Sequence, residues 1–394
     1  PNGILKTVKI PNSLNPFYVM HLYGNATERG YAHGQLFAET IINFVENELP
    51  IYYKEEIAGL SLGGLPKWLQ NLIKSIGKGA SGEVAKIALG YILKTQRKYL
   101  EASKANVFDE MSAIAKGVCS KIPNTKSNAC KNGDATNLIN TIEQVNMLPE
   151  LIRMQCSMMG AWGKSTSSGK LLQLRTLDFG GGPFGNRTML VVNHPETSSG
   201  NPAFATVGFP AFVGAVTGFS ENIGLCEKVD DVTKPKPVPK GSYNGQADSF
   251  VIRDVIEFAK TKEDGISILK NAHRTWPIWI GLGDYASQEF NAMEYTQEVV
   301  NVYDDQSLPK ATNQTMYENV AYIDKHPQPS PHIDMPGLVK TYYGTMTAKN
   351  VVQNFPRLME SGDVHIALYD FGEQQAYIAV GTTNSTGSFV RKAY

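Results

Sequence analysis

The sequence changes character at Cys156, and this change constrains the fold more than any other feature. Before Cys156, apolar residues recur at three- and four-residue steps and Gly and Pro mark the breaks, which predicts mainly helices. These predicted helices cover 32–52, 65–93, 108–118 and 135–154. After Cys156, strand-like runs predominate, at 171–179, 188–193, 203–207, 292–302, 364–369 and 376–380. Three more helices are predicted among them, at 248–260, 262–272 and 347–359, and 230–243 reads as an exposed Pro- and Lys-rich loop.

Cys156 also begins a predicted β-hairpin. A small polar cluster at 165–169 marks its turn, and the returning strand carries Arg175 and Asp178. Closing the hairpin brings these two residues to the neighbourhood of Cys156. A nearby cation favours the thiolate form of cysteine, and a carboxylate can orient an amine or a substrate. On spacing alone, the alternatives are that Cys156 is a small core residue and that Arg175 and Asp178 form a surface ion pair, which contributes little.

The pattern of a cysteine, a short hairpin and Arg-x-x-Asp resembles the N-terminal-nucleophile (Ntn) hydrolases, specifically the acyl-coenzyme A:6-aminopenicillanic acid acyltransferase family. Penicillin V acylases, bile-salt hydrolases, acid ceramidase and N-acylethanolamine acid amidase are more distant relatives of that family. Three further segments resemble it in the family's order. They are its opening strand and helix at 24–34, an Asn-x-x-Gly-Leu segment at 220–226 and a Thr-Asn segment at 311–314.

The resemblance implies an α+β fold, the four-layer αββα sandwich of the Ntn hydrolases, with a mainly helical N-terminal fragment packed against it. It also implies that the precursor cuts itself between Gln155 and Cys156. Residues 1–155 would then form the helical fragment and 156–394 the catalytic fragment, and the two would stay associated as one globular unit. The oligomeric state is not predicted.

The resemblance assigns the chemistry to specific residues. Cys156 is the expected nucleophile, and its freed α-amino group is the expected base. Arg175 would contact the thiolate and the substrate, and Asp178 would hold the amine or the scissile group. Asn222 matches the position that lends a side-chain amide to the oxyanion, and Asn313 matches a second polar position. Asn313 also begins an Asn-x-Ser/Thr sequon, and a glycosylated Asn313 is incompatible with a closed active site.

We therefore expect a hydrolase that cleaves a linear amide of an N-acylated amine through a thioester at Cys156. The first alternative is an acyltransferase that passes the acyl group to an amine, and the second is an uncleaved, catalytically silent binding protein. Met158, Trp162, Phe209 and Phe212 are candidates for an apolar acyl pocket, although all four serve equally well as core residues. The identity of the amide is not predicted.

Composition excludes several other classes. The formal net charge is +0, so no attraction to nucleic acid is implied, and no uncharged apolar run is long enough for a transmembrane span. The expected partner is a small-molecule or lipid-like N-acyl amide. The seven histidines show no close metal-ligand pairing, His33 reads as structural, and neither a metal nor a cofactor is expected. The glycine pattern at 180–185 lacks the helix that dinucleotide binding requires.

Other features favour a secreted or lysosomal protein whose signal peptide has been removed. The chain starts at Pro1 rather than Met, as a processed secretory protein does, although a trimmed chain looks the same. Asn25, Asn186 and Asn384 begin further sequons and are candidate glycosylation sites. Cys119 and Cys130 flank a polar loop and are candidates for a disulfide, the alternative being two unpaired thiols.

Overall fold

A computed structural model describes most of the chain. It covers residues 2–10, 16–56, 65–75, 81–123, 127–151, 155–178, 182–185, 187–229, 242–326, 333–383 and 389–391. Asn186, Asn384 and all but the last two residues of the predicted loop at 230–243 lie outside the described residues.

Within the described residues, nine strands form the first of two sheets. They are β1 (Gly3–Val8), β2 (Phe17–Tyr23), β5 (Met189–His194), β6 (Phe204–Gly208), β7 (Thr217–Ser220), β8 (Ile223–Val229), β9 (Ile278–Asp284), β10 (Glu289–Tyr295) and β11 (Val300–Tyr303). Their spatial order follows this list. All neighbours are antiparallel except β2 and β5, which are parallel. The parallel pair joins strands that lie before and after Cys156 in the chain.

The second sheet contains the Cys156 hairpin. Its strands are β3 (Gln155–Ala161), β4 (Leu172–Asp178), β12 (Val320–Ile323), β13 (His365–Asp370), β14 (Gln375–Thr383) and β15 (Phe389–Arg391). The spatial order is β12-β3-β4-β13-β14-β15, and every described pair is antiparallel. The hairpin β3–β4 is therefore central, with strands on both sides of it.

Seven of the described α-helices precede Cys156 and six follow it, whereas the sequence predicts four helical stretches before it and three after it. Those before it are α1 (Ala26–Leu36), α2 (Ala38–Asn43), α3 (Leu49–Glu56), α4 (Lys67–Ser75), α5 (Ser81–Leu100), α6 (Val107–Cys119) and α7 (Thr136–Val145). Those after it are α8 (Gly182–Gly185), α9 (Asp248–Phe258), α10 (Lys262–Asn271), α11 (Leu308–Thr312), α12 (Met335–Tyr342) and α13 (Ala348–Leu358). Capping boxes at Asn25, Thr261 and Thr347 fix the starts of α1, α10 and α13, because each side chain accepts the orphan N–H three residues on.

The two sheets pack against each other through one set of buried side chains. Met158 of β3 shares this cluster with Cys226 of β8 and Phe290 of β10. Gly160 allows the close approach, because a Cβ there would overlap the Phe290 ring. In both sheets, alternate strand residues project from the other face of the sheet and pack on helices. Leu174 of β4 contacts the α12–α13 cluster, and Leu225 of β8 belongs to the α9–α10 cluster.

The helices before Cys156 form their own large core. That core also includes Cys156, Leu177 and side chains of the 209–216 segment, so the helical part packs directly on the hairpin. Gly34 faces Ile114 and allows α1 and α6 to approach closely. A residue with a Cβ at position 34 would overlap the Ile114 carbonyl.

A buried charge network connects the helical part to the strand-rich part. Arg29 Nη2 lies 3.0 Å from Glu257 Oε1, and Arg253 Nη2 lies 3.0 Å from Glu110 Oε2. Arg253 Nε also lies 3.1 Å from Glu257 Oε2, and all four side chains are nearly fully buried. The charges balance, and the Arg29–Glu257 and Arg253–Glu110 pairs each join residues from opposite sides of Cys156.

The structure confirms the mixed α+β class. Helices predominate before Cys156, but the chain begins with the strands β1 and β2. The predicted strand at 292–302 is wrong as one element, because the chain turns between β10 and β11. Thr296 N–H donates to Val299 O at 2.9 Å across that turn. Cys119 and Cys130 form the expected disulfide. In the described part of the chain, every helix is too short or too polar to cross a membrane.

Candidate active site

The register of the β3–β4 hairpin sets the positions of Cys156 and Arg175. Cys156 lies opposite Leu177, and Met158 lies opposite Arg175. Opposed residues, and alternate residues along a strand, project from the same face of a sheet, so these four side chains share one face. Met158 packs toward the first sheet, which identifies that face. The predicted hairpin is confirmed, and it brings Cys156 and Arg175 to the same side.

Arg175 is fully buried and pairs with a carboxylate from the first sheet. Its Nη2 donates to Glu227 Oε1 at 3.0 Å. Burial raises the pKa of Glu227 to about 7, although the Arg175 charge opposes the rise. Three further atoms, Arg175 Nε and Nη1 and Glu227 Oε2, have no hydrogen-bond partner among the described residues. They are buried polar groups that a ligand can satisfy.

Sequence reasoning missed Glu227. Its pairing with Arg175 joins two sheets across 52 positions of the chain, so no local pattern signals it. The available signal was that Glu227, a charged residue, directly follows the apolar run at 223–226.

The Cys156 thiol is fully buried in the intact chain. Burial raises its pKa to about 12, opposed mainly by Arg175, while the charges of Glu227 and Asp178 add to the rise. The thiol is therefore protonated near neutral pH. Nucleophilic attack by Cys156 requires these surroundings to change, because the thiolate is the reactive form.

Asp178 lies opposite Gln155. Because successive residues of a strand alternate in direction, its side chain projects from the opposite face of the sheet to that of Cys156. Its carboxylate accepts hydrogen bonds from Ser361 Oγ at 2.5 Å and from the Gly362 N–H at 2.6 Å. Lys325 Nζ lies 3.2 Å from its Oδ2. Asp178 is thus firmly held beside the predicted scissile bond. It is not a partner of Arg175 in this structure, so the alternative of a plain Arg175–Asp178 surface pair does not apply.

The two candidate oxyanion asparagines occupy different places. Asn222 is in the turn between β7 and β8, at the opposite end of β8 from Glu227. The two residues are five positions apart along the strand, a distance of about 17 Å. Its backbone carbonyl accepts from the Tyr285 N–H at 2.8 Å. Asn313 is exposed and ends α11 in the left-handed conformation, with φ of 57°. Its exposure fits the sequon interpretation, and the catalytic roles of both residues stay predictions.

The four candidate pocket residues are all buried, but in two separate clusters. Phe209 and Phe212 belong to the core that contains Cys156, and their ring centroids are 6.0 Å apart. Met158 and Trp162 belong to the cluster between the sheets. The two phenylalanines therefore share the large helical core with Cys156, whereas Met158 lies two residues from Cys156 along β3.

Two polar residues of the helical part hold the loop that carries Phe209 and Phe212. His33 Nε2 accepts from the Ala211 N–H at 3.2 Å, and Asn146 Oδ1 accepts from the Val213 N–H at 2.7 Å. Burial lowers the pKa of His33 to about 4, so the imidazole is neutral and able to accept. The predicted structural role of His33 agrees with these contacts.

The remaining candidates are placed as follows. Asn25 is exposed, and its side-chain oxygen caps α1 by accepting from the Glu28 N–H at 3.0 Å. In the described segments, no group of three or more His, Cys, Asp or Glu side chains is arranged to hold a metal ion.

No protein-family model matches the chain. The protein dcd1B of Dictyostelium discoideum is 30% identical over 390 residues, which cover 96% of this chain and 71% of dcd1B. The protein dcd1A of the same organism is 30% identical over 405 residues, covering 96% of this chain and 81% of dcd1A. Among solved structures, the Caenorhabditis elegans N-acylethanolamine-hydrolyzing acid amidase ortholog aligns at 15% identity with a TM-score of 0.34, over 55% of this chain and 93% of that one. A TM-score that low establishes no shared fold, whereas the two sequence matches run along nearly the whole chain. The chain therefore belongs to the protein family of Dictyostelium dcd1A and dcd1B.

Proposed function

We propose that this protein is a self-processing cysteine amidohydrolase of the Ntn type. Its reaction is the cleavage of a linear amide of an N-acylated amine through a thioester at Cys156. The observation that carries the proposal is the hairpin register, which puts Cys156 and Arg175 on one face of a central hairpin. Two face-to-face sheets with helices on their outer sides are also what a four-layer Ntn sandwich requires.

The first step is self-cleavage between Gln155 and Cys156. The Cys156 thiol attacks the Gln155 carbonyl carbon, the peptide C–N bond breaks, and the thiol proton passes to the departing nitrogen. The product is a thioester with a free α-amino group on Cys156. Water then hydrolyses the thioester, which leaves a carboxylate on Gln155 and restores the thiol.

The same thiol then acts on the substrate. The freed α-amino group has an ordinary pKa of roughly 7.7–8.0, which suits a base near neutral pH. It takes the thiol proton, the sulfur attacks the amide carbonyl, and the amine leaves with that proton. Water hydrolyses the acyl thioester to the free acid. Arg175 would favour the thiolate by its charge, and Asp178, held by Ser361 and Lys325, would orient the new amine.

The oxyanion donor is a separate question with its own test. Asn222 and Asn313 are the donors that the resemblance assigns. Removing an oxyanion donor typically lowers kcat by roughly 10²–10³-fold. We expect a loss of that size in Asn222→Ala or Asn313→Ala after normal self-cleavage. If both variants cut themselves and keep full activity, the donor is a different group.

The proposed fragments, 1–155 and 156–394, would remain one unit after cleavage. The charge network of Arg29, Glu110, Arg253 and Glu257 supports this, as does the parallel β2–β5 pairing, because both join the two fragments. A disulfide between Cys119 and Cys130 supports a secreted or lysosomal location. Glycosylation at Asn25, Asn186 or Asn384 belongs to the same proposal.

The decisive experiment is the intact mass of purified protein under reducing conditions, before and after incubation at acidic pH. Wild type is expected to yield two fragments that meet at Gln155 and Cys156. Cys156→Ala is expected to stay whole, and Cys226→Ala, which removes the other buried free thiol, is expected to cut normally. Identical fragments from wild type and Cys156→Ala would exclude self-cleavage by Cys156.

The burial of Cys156 favours a second candidate, an uncleaved and catalytically silent binding protein. Its thiol would remain protonated, as its raised pKa indicates. This candidate requires one intact chain under all conditions and no reaction with a thiol-directed acylating probe. The acyltransferase alternative keeps the thioester, and it requires a transferred amide to replace the free acid as amine concentration rises.

A further inference from the structure

A cleft of about 320 Å³ opens between the two sheets, away from Cys156. Asp370 at the end of β13 lines it and lies opposite Leu172, while Cys156 lies opposite Leu177. Five strand residues separate these two rows, or about 17 Å. The cleft volume is at the lower end of the range for small-molecule sites, roughly 300–1,000 Å³. It is therefore a place for a small ligand, distinct from the thiol.

Aromatic rings form much of the cleft wall. Phe219 and Tyr369 have ring centroids 5.0 Å apart and are tilted by 47° to each other. Phe371, the exposed Tyr285 and Phe204 also line the cleft. The Phe204 ring already has the Arg253 guanidinium 4.6 Å from its centroid. Aromatic faces carry negative electrostatic potential, so they attract cations as well as apolar groups.

The charged groups of the cleft have one sign. Glu221 and Asp370 line it, and among the described residues no lysine, arginine or histidine does. Glu221 is exposed on the β7–β8 turn. Asp370 is nearly buried and accepts from the Glu373 N–H at 3.1 Å. Two carboxylates beside aromatic faces disfavour an anionic ligand and favour a cationic one.

We propose that this cleft binds a small organic cation with an apolar body, such as a protonated aryl- or alkylamine. The carboxylates and ring faces hold the charged end, and the apolar wall at Val192 and Ala205 holds the body. The site does not depend on Cys156 chemistry.

Three probes of similar size test the charge preference: 2-phenylethylammonium, 2-phenylethanol and 3-phenylpropanoate. Isothermal titration calorimetry is run on wild type and on Cys156→Ala. In both, the ammonium is expected to bind about tenfold more tightly than the alcohol, and the carboxylate more weakly than either. Equal affinity for ammonium and alcohol, or no binding of the ammonium, overturns the proposal. Binding retained in Cys156→Ala separates this site from the proposed function.

Two variants locate the site. Glu221→Gln combined with Asp370→Asn keeps side-chain volume and the Glu373 hydrogen bond, and is expected to reduce ammonium affinity to that of the alcohol. Glu263→Gln, an exposed carboxylate on α10, is the matched control and is expected to bind like wild type. Ala376→Phe places a ring at an exposed cleft position on β14 and is expected to abolish binding of the ammonium and of the alcohol. Unchanged affinity in the double variant or in Ala376→Phe overturns the assignment.

Discussion

Arg175 Nη2 lies 3.0 Å from Glu227 Oε1, and the two side chains are 0% and 2% exposed. The pair joins β4 of one sheet to β8 of the other. The cation that shares a face with Cys156 is thus held by a carboxylate that arrives from the opposite sheet. Removing one member of a buried pair leaves an uncompensated charge, which typically lowers stability by about 3–5 kcal/mol.

We expect Glu227→Leu to lower the free energy of unfolding by about 3–5 kcal/mol at pH 8, because Arg175 then keeps a buried charge without its partner. Urea unfolding measures the change. The double variant Arg175→Met/Glu227→Leu is expected to lose less than Glu227→Leu alone. Glu83→Ala, which breaks the exposed Glu83–Lys86 pair, is the control and is expected to change stability by less than about 1 kcal/mol. A Glu227→Leu loss no larger than this control contradicts the prediction.

A buried pair of carboxyl groups makes stability depend on pH. Burial raises the pKa of Glu150 to about 8, with a further rise from Asp248, and burial raises the pKa of Asp248 to about 6. The folded chain therefore favours the protonated forms. Their contribution to stability is complete below the ordinary carboxyl pKa and is lost as the pH rises through 6 to 8.

The stability difference between wild type and Glu150→Gln is accordingly expected to change in favour of Glu150→Gln from pH 5 to pH 8.5. The buried His33 and His365, which destabilise the fold as the pH falls, affect both proteins alike. The direction follows from the raised pKa of the Glu150 carboxyl, because the folded chain holds its proton more tightly than the unfolded chain does. Urea unfolding across this pH range measures the slope of stability against pH for each protein. Glu298→Gln, at an exposed position, serves as the control. Parallel slopes for wild type and Glu150→Gln would refute the assignment.

The anchoring of Asp178 is testable through Ser361. Its hydroxyl donates to Asp178 Oδ2 at 2.5 Å and lies 2.6 Å from Thr176 Oγ1. Ser361→Ala is expected to lower the free energy of unfolding by about 1–3 kcal/mol, because a buried carboxylate loses a donor. If Asp178 orients the Cys156 amine, self-cleavage also slows. Ser198→Ala, at an exposed position, is the control, and matching results for the two variants contradict this role.

The local part of the site was predictable from sequence, and the long-range part was not. One hairpin contains Cys156, the turn at 165–169 and Arg175, so the local sequence was enough to predict that Cys156 and Arg175 lie close together. The pairing of Glu227 with Arg175 depends on how the two sheets stack, and no sequence pattern near either residue indicates it. Strand β9 was missed because Gly281 and Gly283 interrupt its apolar residues, and glycine is depleted in strands; only the structure shows that side chains of neighbouring strands approach these two positions closely. Asn222 was assigned by resemblance alone, and the structure places it at the far end of β8.

The Cys119–Cys130 disulfide closes a short loop beside α6, with a sequence separation of 11 residues. Loop-closure entropy for a loop of this length corresponds to about 3 kcal/mol. Cys119→Ser/Cys130→Ser is therefore expected to unfold at a lower temperature, by calorimetry, than the wild type. Reductant is expected to lower the wild-type transition similarly and to leave the double variant unchanged. An equal transition temperature for oxidised wild type and the double variant would contradict the prediction.

Thiol labelling tests the buried state of Cys156 directly. Cys156 and Cys226 are both fully buried, and burial raises their pKa values to about 12 and about 11. In the uncut chain at pH 8, iodoacetamide is expected to modify Cys156 about 10³-fold more slowly than an exposed cysteine, because so little thiolate is present. Peptide mass spectrometry resolves the two sites, and guanidinium unfolding provides full labelling of both. After self-cleavage, Cys156 is expected to react while Cys226 stays protected, because only Cys156 gains a free α-amino base. Rapid labelling of Cys156 in the uncut chain would show that the thiol is accessible before cleavage.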